Sequence, residues 1–313
     1  MYNIYVSPVD GSALKLDGSQ LVDGSGNCFP VDDKIPNFIF PKDLPQSDKQ
    51  SIEWYRNNAQ NYDDFLPLTF QTFGVDEDDE RQKMLENLDV TETSRVLEIG
   101  CGTGRDSEKI ASKLGLKGEL YLQDISPDIL DVAVKKFKNL YFQPKIYFSL
   151  ANAYYLPFED DYFDRVFHFG GLNTFGDVGR AFREIIRVCK PGGRVVVGDE
   201  NMPVWLRNTE FGCLLMNSNP HYKYPIPFED IPIEARNVKI EWIIGGVFYV
   251  ISFDVGTGEP KADFDFAIPG QRGGTHRTRY YGQLEGVSQE AVELAKRATE
   301  KSGKSMKKTV AYI

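Results

Sequence analysis

Histidine is scarce in this chain: 313 residues contain only His168, His221 and His276, so few imidazoles are available as a general base. Cysteine is nearly as rare. Cys28, Cys101, Cys189 and Cys213 stand far apart with no Cys-x-x-Cys pair, which argues against a disulfide framework or a thiolate zinc site and reads as reduced, intracellular thiols. Positive charge is in deficit. Thirty-six Lys and Arg against 46 Asp and Glu leave a net charge of −10, which disfavours a nucleic-acid partner because phosphate binding needs a basic face. A local basic strip remains open. No apolar run reaches membrane-spanning length, and the N-terminus lacks a basic region followed by an apolar stretch. These absences predict a soluble, cytoplasmic protein with no bound metal, no membrane and no nucleic acid.

What is present is a core-forming composition. Hydrophobic residues make up 41% of the chain, ample for one α/β domain with appendages. The most informative run is Val96-Leu97-Glu98-Ile99-Gly100-Cys101-Gly102-Thr103-Gly104-Arg105-Asp106. It predicts a short buried strand, a turn with glycines at alternate positions, and then a helix. Glycine lets the backbone adopt positive φ and approach a ligand closely, and a helix start presents free N–H groups. Glu98 adds a charge able to hold a cation or orient the loop. Such a loop is equally a plain strand-to-helix turn or a cofactor cradle, and the rest of the chain favours the cradle.

Residues 1–45 predict a small β-rich segment, broken by Asp10-Gly11, Asp17-Gly18 and Asp23-Gly24. Pro36, Pro41 and Pro45 mark a linker into a mostly helical stretch from Ser51 to about Leu88, within residues 46–92. From residue 93 to 255, strands alternate with helices, which predicts βαβ units and a parallel sheet. The expected strands are Arg95–Ile99, Glu119–Gln123, Lys145–Leu150, Arg165–Phe169 and Arg194–Gly198. A helix from Arg105 to Leu114 is expected to stop at a Gly115 C-cap. Ser126 and Asp177 are expected N-caps, and Lys190-Pro191-Gly192-Gly193 ends the helix before the last strand. Val238–Ile244 and Val247–Phe253 flank Gly245-Gly246 as an antiparallel hairpin on the sheet edge. Residues 256–313 form an extension with a terminal helix from Ser288 to about Lys301, its partly apolar positions being Val292, Leu294 and Ala295.

Asp124, at the end of the second strand, is placed to accept both ribose hydroxyls of a nucleoside, or merely to open a turn. Asn152, after the third, is an adenine contact or a turn residue. A dinucleotide-binding fingerprint would carry a third glycine where Asp106 stands, so the chain departs from that pattern. Five segments in register resemble the class I S-adenosylmethionine-dependent methyltransferases of the type 11 group. They are Val96 to Gly104, Asp124-Ile125-Ser126-Pro127, Ala153-Tyr154-Tyr155-Leu156-Pro157-Phe158, Asp161-Tyr162-Phe163-Asp164-Arg165-Val166 and Arg187-Val188-Cys189-Lys190-Pro191-Gly192-Gly193. The resemblance implies a doubly wound, Rossmann-like seven-stranded sheet in the order 3-2-1-4-5-7-6, strand 7 antiparallel. It implies S-adenosylmethionine as cofactor, with Glu98, Gly100, Cys101, Gly102 and Gly104 by the methionine part. Asp124 and Ile125 would face the ribose, Asn152 and Ala153 the adenine, and the backbone of Phe169 and Gly170 the amino group. Tyr55 and Tyr62 would form an aromatic lid. The group more often has Asp where Asn152 stands, and Asn keeps the acceptor oxygen.

A fainter resemblance covers Tyr5-Val6-Ser7-Pro8-Val9-Asp10-Gly11 and Phe29-Pro30-Val31-Asp32-Asp33-Lys34-Ile35-Pro36, which look like a small zinc-ribbon module. Ser7 and Asp10 stand where its first cysteine pair belongs, so the expectation is a metal-free relic. Methyl transfer from a sulfonium needs in-line positioning of an acceptor and a base only where that acceptor must lose a proton. His168 and His221 are the candidates for such a base, His168 being equally readable as a packed structural residue. The insert at about 201–236 carries Trp205, Tyr222 and Tyr224, either the wall of an acceptor pocket or ordinary core. In the strip Arg272-Gly273-Gly274-Thr275-His276-Arg277-Thr278-Arg279, Arg277 and Arg279 are candidates to hold an anionic substrate, or else a solvated surface. The expectation is methyl transfer to a small organic acceptor by a monomer or homodimer. The alternatives are a methyltransferase acting on tRNA or protein, or a non-catalytic regulatory protein that binds the same nucleoside.

Overall fold

The computed structural model describes residues 2–269, 274–281 and 288–303. Two compact units divide the chain, Met1–Glu259 and Pro260–Ile313.

The first unit begins with four short strands, β1 (Lys15–Asp17), β2 (Gln20–Val22), β3 (Cys28–Asp32) and β4 (Ile35–Pro36), paired in that order into an antiparallel sheet. Tyr5, Leu21, Phe29 and Phe38 are buried, and Tyr5 packs against Phe38 and Phe158 at 4.9 and 5.4 Å between ring centroids. In place of thiolates, this segment is tied by Asp23, which accepts from the Ser7 hydroxyl at 2.7 Å and from the Asn27 amide at 2.7 Å. The helical stretch resolves into α1 (Gln46–Asn58), α2 (Tyr62–Phe73) and α3 (Glu77–Glu86). Gly74 ends α2 in the left-handed conformation and Asp76 caps α3 by accepting from Asp79 N–H, 3.0 Å.

The core runs β5 (Arg95–Ile99), α4 (Arg105–Lys113), β6 (Glu119–Asp124), α5 (Pro127–Lys138), β7 (Lys145–Leu150), β8 (Phe163–Phe169), α6 (Val178–Val188) and β9 (Cys189–Glu200). After α7 (Glu210–Ser218) come β10 (Ala235–Ile243) and β11 (Phe248–Val255). The sheet order is β7-β6-β5-β8-β9-β11-β10, with the first five strands mutually parallel and β11 antiparallel to both neighbours. This is the order 3-2-1-4-5-7-6 expected from the sequence. Strands buried on both faces read as apolar runs. Val96 and Leu97 in β5, and Val195, Val196 and Val197 in β9, are almost inaccessible. On α5, Ile129, Leu130, Ala133, Val134 and Phe137 form the buried stripe.

Three local expectations meet differences in the structure. Gly115 does not cap α4 in a left-handed turn. The cap is Leu114 in an extended conformation, and Gly115 instead brings its N–H to Glu92 carbonyl at 2.8 Å. Ser126 occupies the N-cap position of α5 as expected, but its Oγ makes no capping hydrogen bond; its backbone N–H donates to Asp124 Oδ1 at 2.9 Å. The fifth strand starts at Cys189, one residue before the expected turn, and runs through it. Its pairing jumps from Phe163↔Cys189 to Arg165↔Arg194, so Lys190-Pro191-Gly192-Gly193 bulges out of the ladder.

In the second unit, α8 (His276–Tyr281) and α9 (Gln289–Ser302) are the helices among the described residues. Ser288 Oγ caps α9 by accepting from Ala291 N–H. Val292 and Ala295 are buried while Leu294 is 63% exposed, contrary to expectation. Arg272 lies outside the described residues. Among the described residues no helix is long and apolar enough to cross a membrane.

Candidate active site

In an open α/β sheet the loops at the carboxyl ends of the strands meet in a crevice where strand order reverses. Here that reversal falls between β5 and β8. A cavity opens there, lined by Gly100 and Gly102 after β5, Asp124 and Ile125 from β6, and Asn152 and Ala153 after β7. Phe169 and Gly170 from β8 and Glu200 from β9 complete its floor, and Tyr55, Tyr62 and Phe70 come from the helices over it.

The glycine turn is built for close approach. Gly100 and Gly102 have φ of +63° and +55°, where a side chain would be strained. Cys101 N–H bonds Gln123 carbonyl at 2.9 Å and Gly102 N–H bonds Asp124 Oδ2 at 3.0 Å, so β6 holds the loop in place. Burial pushes the Asp124 carboxyl up to about 6, against the pull of the backbone N–H groups that donate to it.

Behind the loop lies His168, 1% exposed. Its Nδ1 sits 2.7 Å from Ile99 carbonyl oxygen, which can only accept, so Nδ1 carries the proton. Burial depresses the imidazole pKa and keeps the ring neutral. The Nε2 lone pair on the far side then has no hydrogen-bond partner among the described residues.

Asn152 lines the cavity, but its amide is engaged: Oδ1 accepts from Tyr154 N–H at 3.2 Å and Nδ2 donates to Phe40 carbonyl. It fixes the turn that carries Ala153. Tyr55 and Tyr62 pack edge to face at 5.6 Å. Burial drives both phenols upward, Tyr62 to about 12. The start of α2 is fastened above the loop by Asp63, which accepts from Thr103 Oγ1 at 2.6 Å and pairs with Lys136 at 3.2 Å.

Several predicted residues of the first unit do not line the cavity. Glu98 is buried beneath the loop, where it receives Ser107 Oγ at 2.6 Å and desolvation pushes its carboxyl well above the usual carboxylate range, and it does not line the cavity. Cys101 turns into the hydrophobic cluster with Leu122 and Leu130. Gly104 (φ +82°) faces Phe137, whose ring would lie 2.8 Å from a Cβ there. Trp205 is 65% exposed and packs on Trp242. Tyr222 is buried with Phe70 and Phe248 behind the cavity wall, and His221 meets Tyr224 edge to face at 5.8 Å. In the second unit Arg277 pairs with Asp265 at 2.8 Å over the Phe264 ring, and Arg279 lies on the same short helix.

The sequence reading missed five ionisable cavity residues: Asp48, Arg81, Arg105, Asp106 and Glu200. Arg81 from α3 bonds Asp106 at 2.7 Å and Glu77 at 2.8 Å. Arg105 grips Glu77 through two bonds of 2.9 Å. Asp106, at the position that set the chain apart from the dinucleotide pattern, thus anchors an arginine. Glu200, the last residue of β9, was hidden because a strand-end acid carries no motif.

A seven-stranded sheet in this order, with a glycine loop at the switch point and an acid ending the next strand, defines the class I S-adenosylmethionine-dependent methyltransferase fold. Residues 91–240, just under half of the chain, match the methyltransferase domain family model. Methyltransferase GfsG of Streptomyces halstedii is 33% identical over 120 residues, 38% of this chain and 42% of the relative. The ubiquinone/menaquinone biosynthesis C-methyltransferase UbiE of Pectobacterium atrosepticum is 38% identical over 120 residues, 38% of this chain and 48% of its own length. That of Pasteurella multocida is 32% identical over 177 residues, 56% and 65% respectively. The chain spans about half the length of the curated relatives it matches. Among solved structures, Haemonchus contortus phosphoethanolamine N-methyltransferase 2 in complex with S-adenosyl-L-methionine aligns with a TM-score of 0.51 at 15% identity, over 71% of this chain and 62% of that one, a likeness of fold.

Proposed function

We propose that the protein binds S-adenosylmethionine at the switch-point cavity and transfers its methyl group to a small organic acceptor. The observation that carries this reading is the pairing of an open glycine turn with Asp124, a buried carboxylate whose two oxygens face backbone donors and the cavity together. The fit of the group is supported by the space over Gly102, where a Cβ would meet nothing within 4 Å, and by the unsatisfied His168 Nε2 under the loop.

When bound, the cofactor supplies an electrophilic methyl on a sulfonium. The chain's own residues position and shield it. Ionised Asp124 accepts the ribose hydroxyls as charge-assisted bonds. The turn fixed by Asn152 lays Ala153 along the base. The backbone of Phe169 and Gly170, at the end of β8, receives the amino group. Tyr55 and Tyr62, neutral phenols on the overlying helices, exclude water from the centre. Arg81 and Arg105, already paired with acids, set the potential at the glycine-loop end. Similarity to relatives named as methyltransferases supports the assignment.

Calorimetry with S-adenosylhomocysteine tests it. The expected affinity is micromolar, about −7 to −8 kcal/mol, with no binding of NAD. Tight NAD binding with no response to S-adenosylhomocysteine overturns the reading.

A further inference from the structure

The loop after β7, which carries Asn152 and Ala153 to the cavity, is gripped by the N-terminal segment at its entry, its middle and its exit. At the entry Leu150 carbonyl accepts from Phe38 N–H at 2.7 Å, and Asn37 lies beside Leu150 in a parallel bridge. At the exit Pro157 carbonyl accepts from Val6 N–H at 3.0 Å, next to the antiparallel bridge between Tyr5 and Phe158. Between them Asn152 Nδ2 donates to Phe40 carbonyl. The docked stretch is well packed. Phe38 is fully buried, with its ring 4.9 Å from that of Tyr5 and 5.6 Å from that of Phe29. Phe40 meets Tyr155 edge to face at 4.9 Å, and Asn37 N–H reaches back to Pro30 carbonyl in β3 at 2.8 Å.

Asn152 is 1% exposed, and both halves of its amide are used. Oδ1 accepts from Tyr154 N–H at 3.2 Å, and Phe40 carbonyl can only accept, so Nδ2 is the atom that faces it. A carboxylate at this place would set an oxygen against that carbonyl with no proton between them, a costly arrangement in a buried place. This is a physical reason for asparagine where the type 11 group more often has aspartate. From Tyr154 the bonding continues, because its Oη donates to Asp48 on α1, which also accepts from Gly176 N–H at 3.1 Å. Asp48, Asn152, Ala153 and Tyr154 all line the cavity. The docked segment and the nucleoside side of the cavity wall thus share one buried hydrogen-bonded series.

Resting on the cofactor reading above, we propose that the N-terminal segment is a working part of the cofactor site, with Asn152 as the positioning residue between the two. Its amide serves the docked segment and not the adenine edge, and it acts on the nucleoside through the placement of Ala153. Docking of residues 37–40 and binding of the cofactor are then coupled. Linkage makes that coupling reciprocal, so a bound cofactor also holds the segment in place.

The experiment is hydrogen-exchange mass spectrometry on the full chain, with and without S-adenosylhomocysteine, alongside calorimetry. Between Pro36 and Pro41 the backbone carries only the amide hydrogens of Asn37, Phe38, Ile39 and Phe40, so peptides spanning that stretch report the docked segment. In wild type, saturating S-adenosylhomocysteine is expected to slow exchange there by about 10-fold or more. Asn152→Asp is expected to weaken S-adenosylhomocysteine by about 10-fold or more and, at equal saturation, to cut the slowing to below about 3-fold. A direct adenine contact predicts the opposite sign, since aspartate keeps the acceptor oxygen and affinity would hold or rise. Wild-type exchange that changes by less than about 3-fold on saturation overturns the proposal. So does a folded Asn152→Asp that keeps wild-type affinity, or one that keeps the full slowing at equal saturation. The wild-type comparison needs no variant and decides the matter if the substitution prevents folding. Wild type that binds S-adenosylhomocysteine with the segment unmoved sinks this proposal alone, whereas wild type that does not bind it sinks the cofactor reading as well.

Discussion

Asp124 works on two counterparts at once. Its carboxylate holds the glycine turn through Gly102 N–H from a buried place and, on the proposed reading, would also accept from the cofactor ribose. With its folded pKa at about 6 rather than the ordinary 3.8, the empty folded protein binds a proton more readily than the unfolded chain. Stability from this residue is therefore complete below about pH 4 and is lost as pH rises through about 6, a cost of about 3 kcal/mol at most. Cofactor binding runs the other way. Protonation removes the acceptor, so the S-adenosylhomocysteine dissociation constant should rise about 10-fold between pH 7.5 and pH 5. Titration calorimetry across that range checks it. Asp124→Asn should bind about 10- to 100-fold more weakly at pH 7.5, the scale of a lost charge-assisted bond, and should flatten the pH dependence. A wild-type affinity that is level from pH 7.5 to 5 contradicts the assignment of the ribose to Asp124.

The elements around the cavity explain why the glycines are not equivalent. Gly102 faces open space, whereas Gly104 starts α4 against the Phe137 ring of α5. Gly104→Ala should therefore destabilise the fold by about 1–3 kcal/mol through strain and overpacking, measured by urea denaturation. Gly102→Ala should cost less stability, about 1 kcal/mol, and weaken S-adenosylhomocysteine binding by 10-fold or more. The opposite pattern would place the ligand on the wrong side of the loop. Alternation of strand and helix patterns, with the motif order, made the sheet topology legible in the sequence. Hairpin glycines and the Asp177 cap gave further boundaries. What was not legible depends on long-range pairing. Glu98 looks like a loop charge until Ser107 claims it, and Tyr222 looks like a pocket wall until Phe70 and Phe248 cover it. The cavity arginines went unseen because Arg81 belongs to α3, whose partner Asp106 lies 25 residues away. Gly115 fails as a cap since Glu92, from the loop before β5, takes its N–H.

At the scale of the whole molecule, charge decides between small and large acceptors. A net charge of −10 repels a polyanion at every distance beyond a local patch, and the screening length of about 8 Å at physiological salt confines any attraction to that patch. The candidate patch is the arginine strip of the second unit. There Arg277 is committed to Asp265 and to the face of Phe264, so a phosphate would have to displace an existing ion pair. Phosphate contacts supply most non-specific nucleic-acid affinity, and each one adds to the salt slope. The expected outcome is that bulk tRNA binds more weakly than about 100 µM at 0.15 M salt, by fluorescence anisotropy. Arg277→Ala combined with Arg279→Ala should change neither that result nor S-adenosylhomocysteine affinity. A submicromolar tRNA complex that dissolves steeply with salt, and is lost in the double variant, would make the strip a nucleic-acid site and the acceptor a macromolecule.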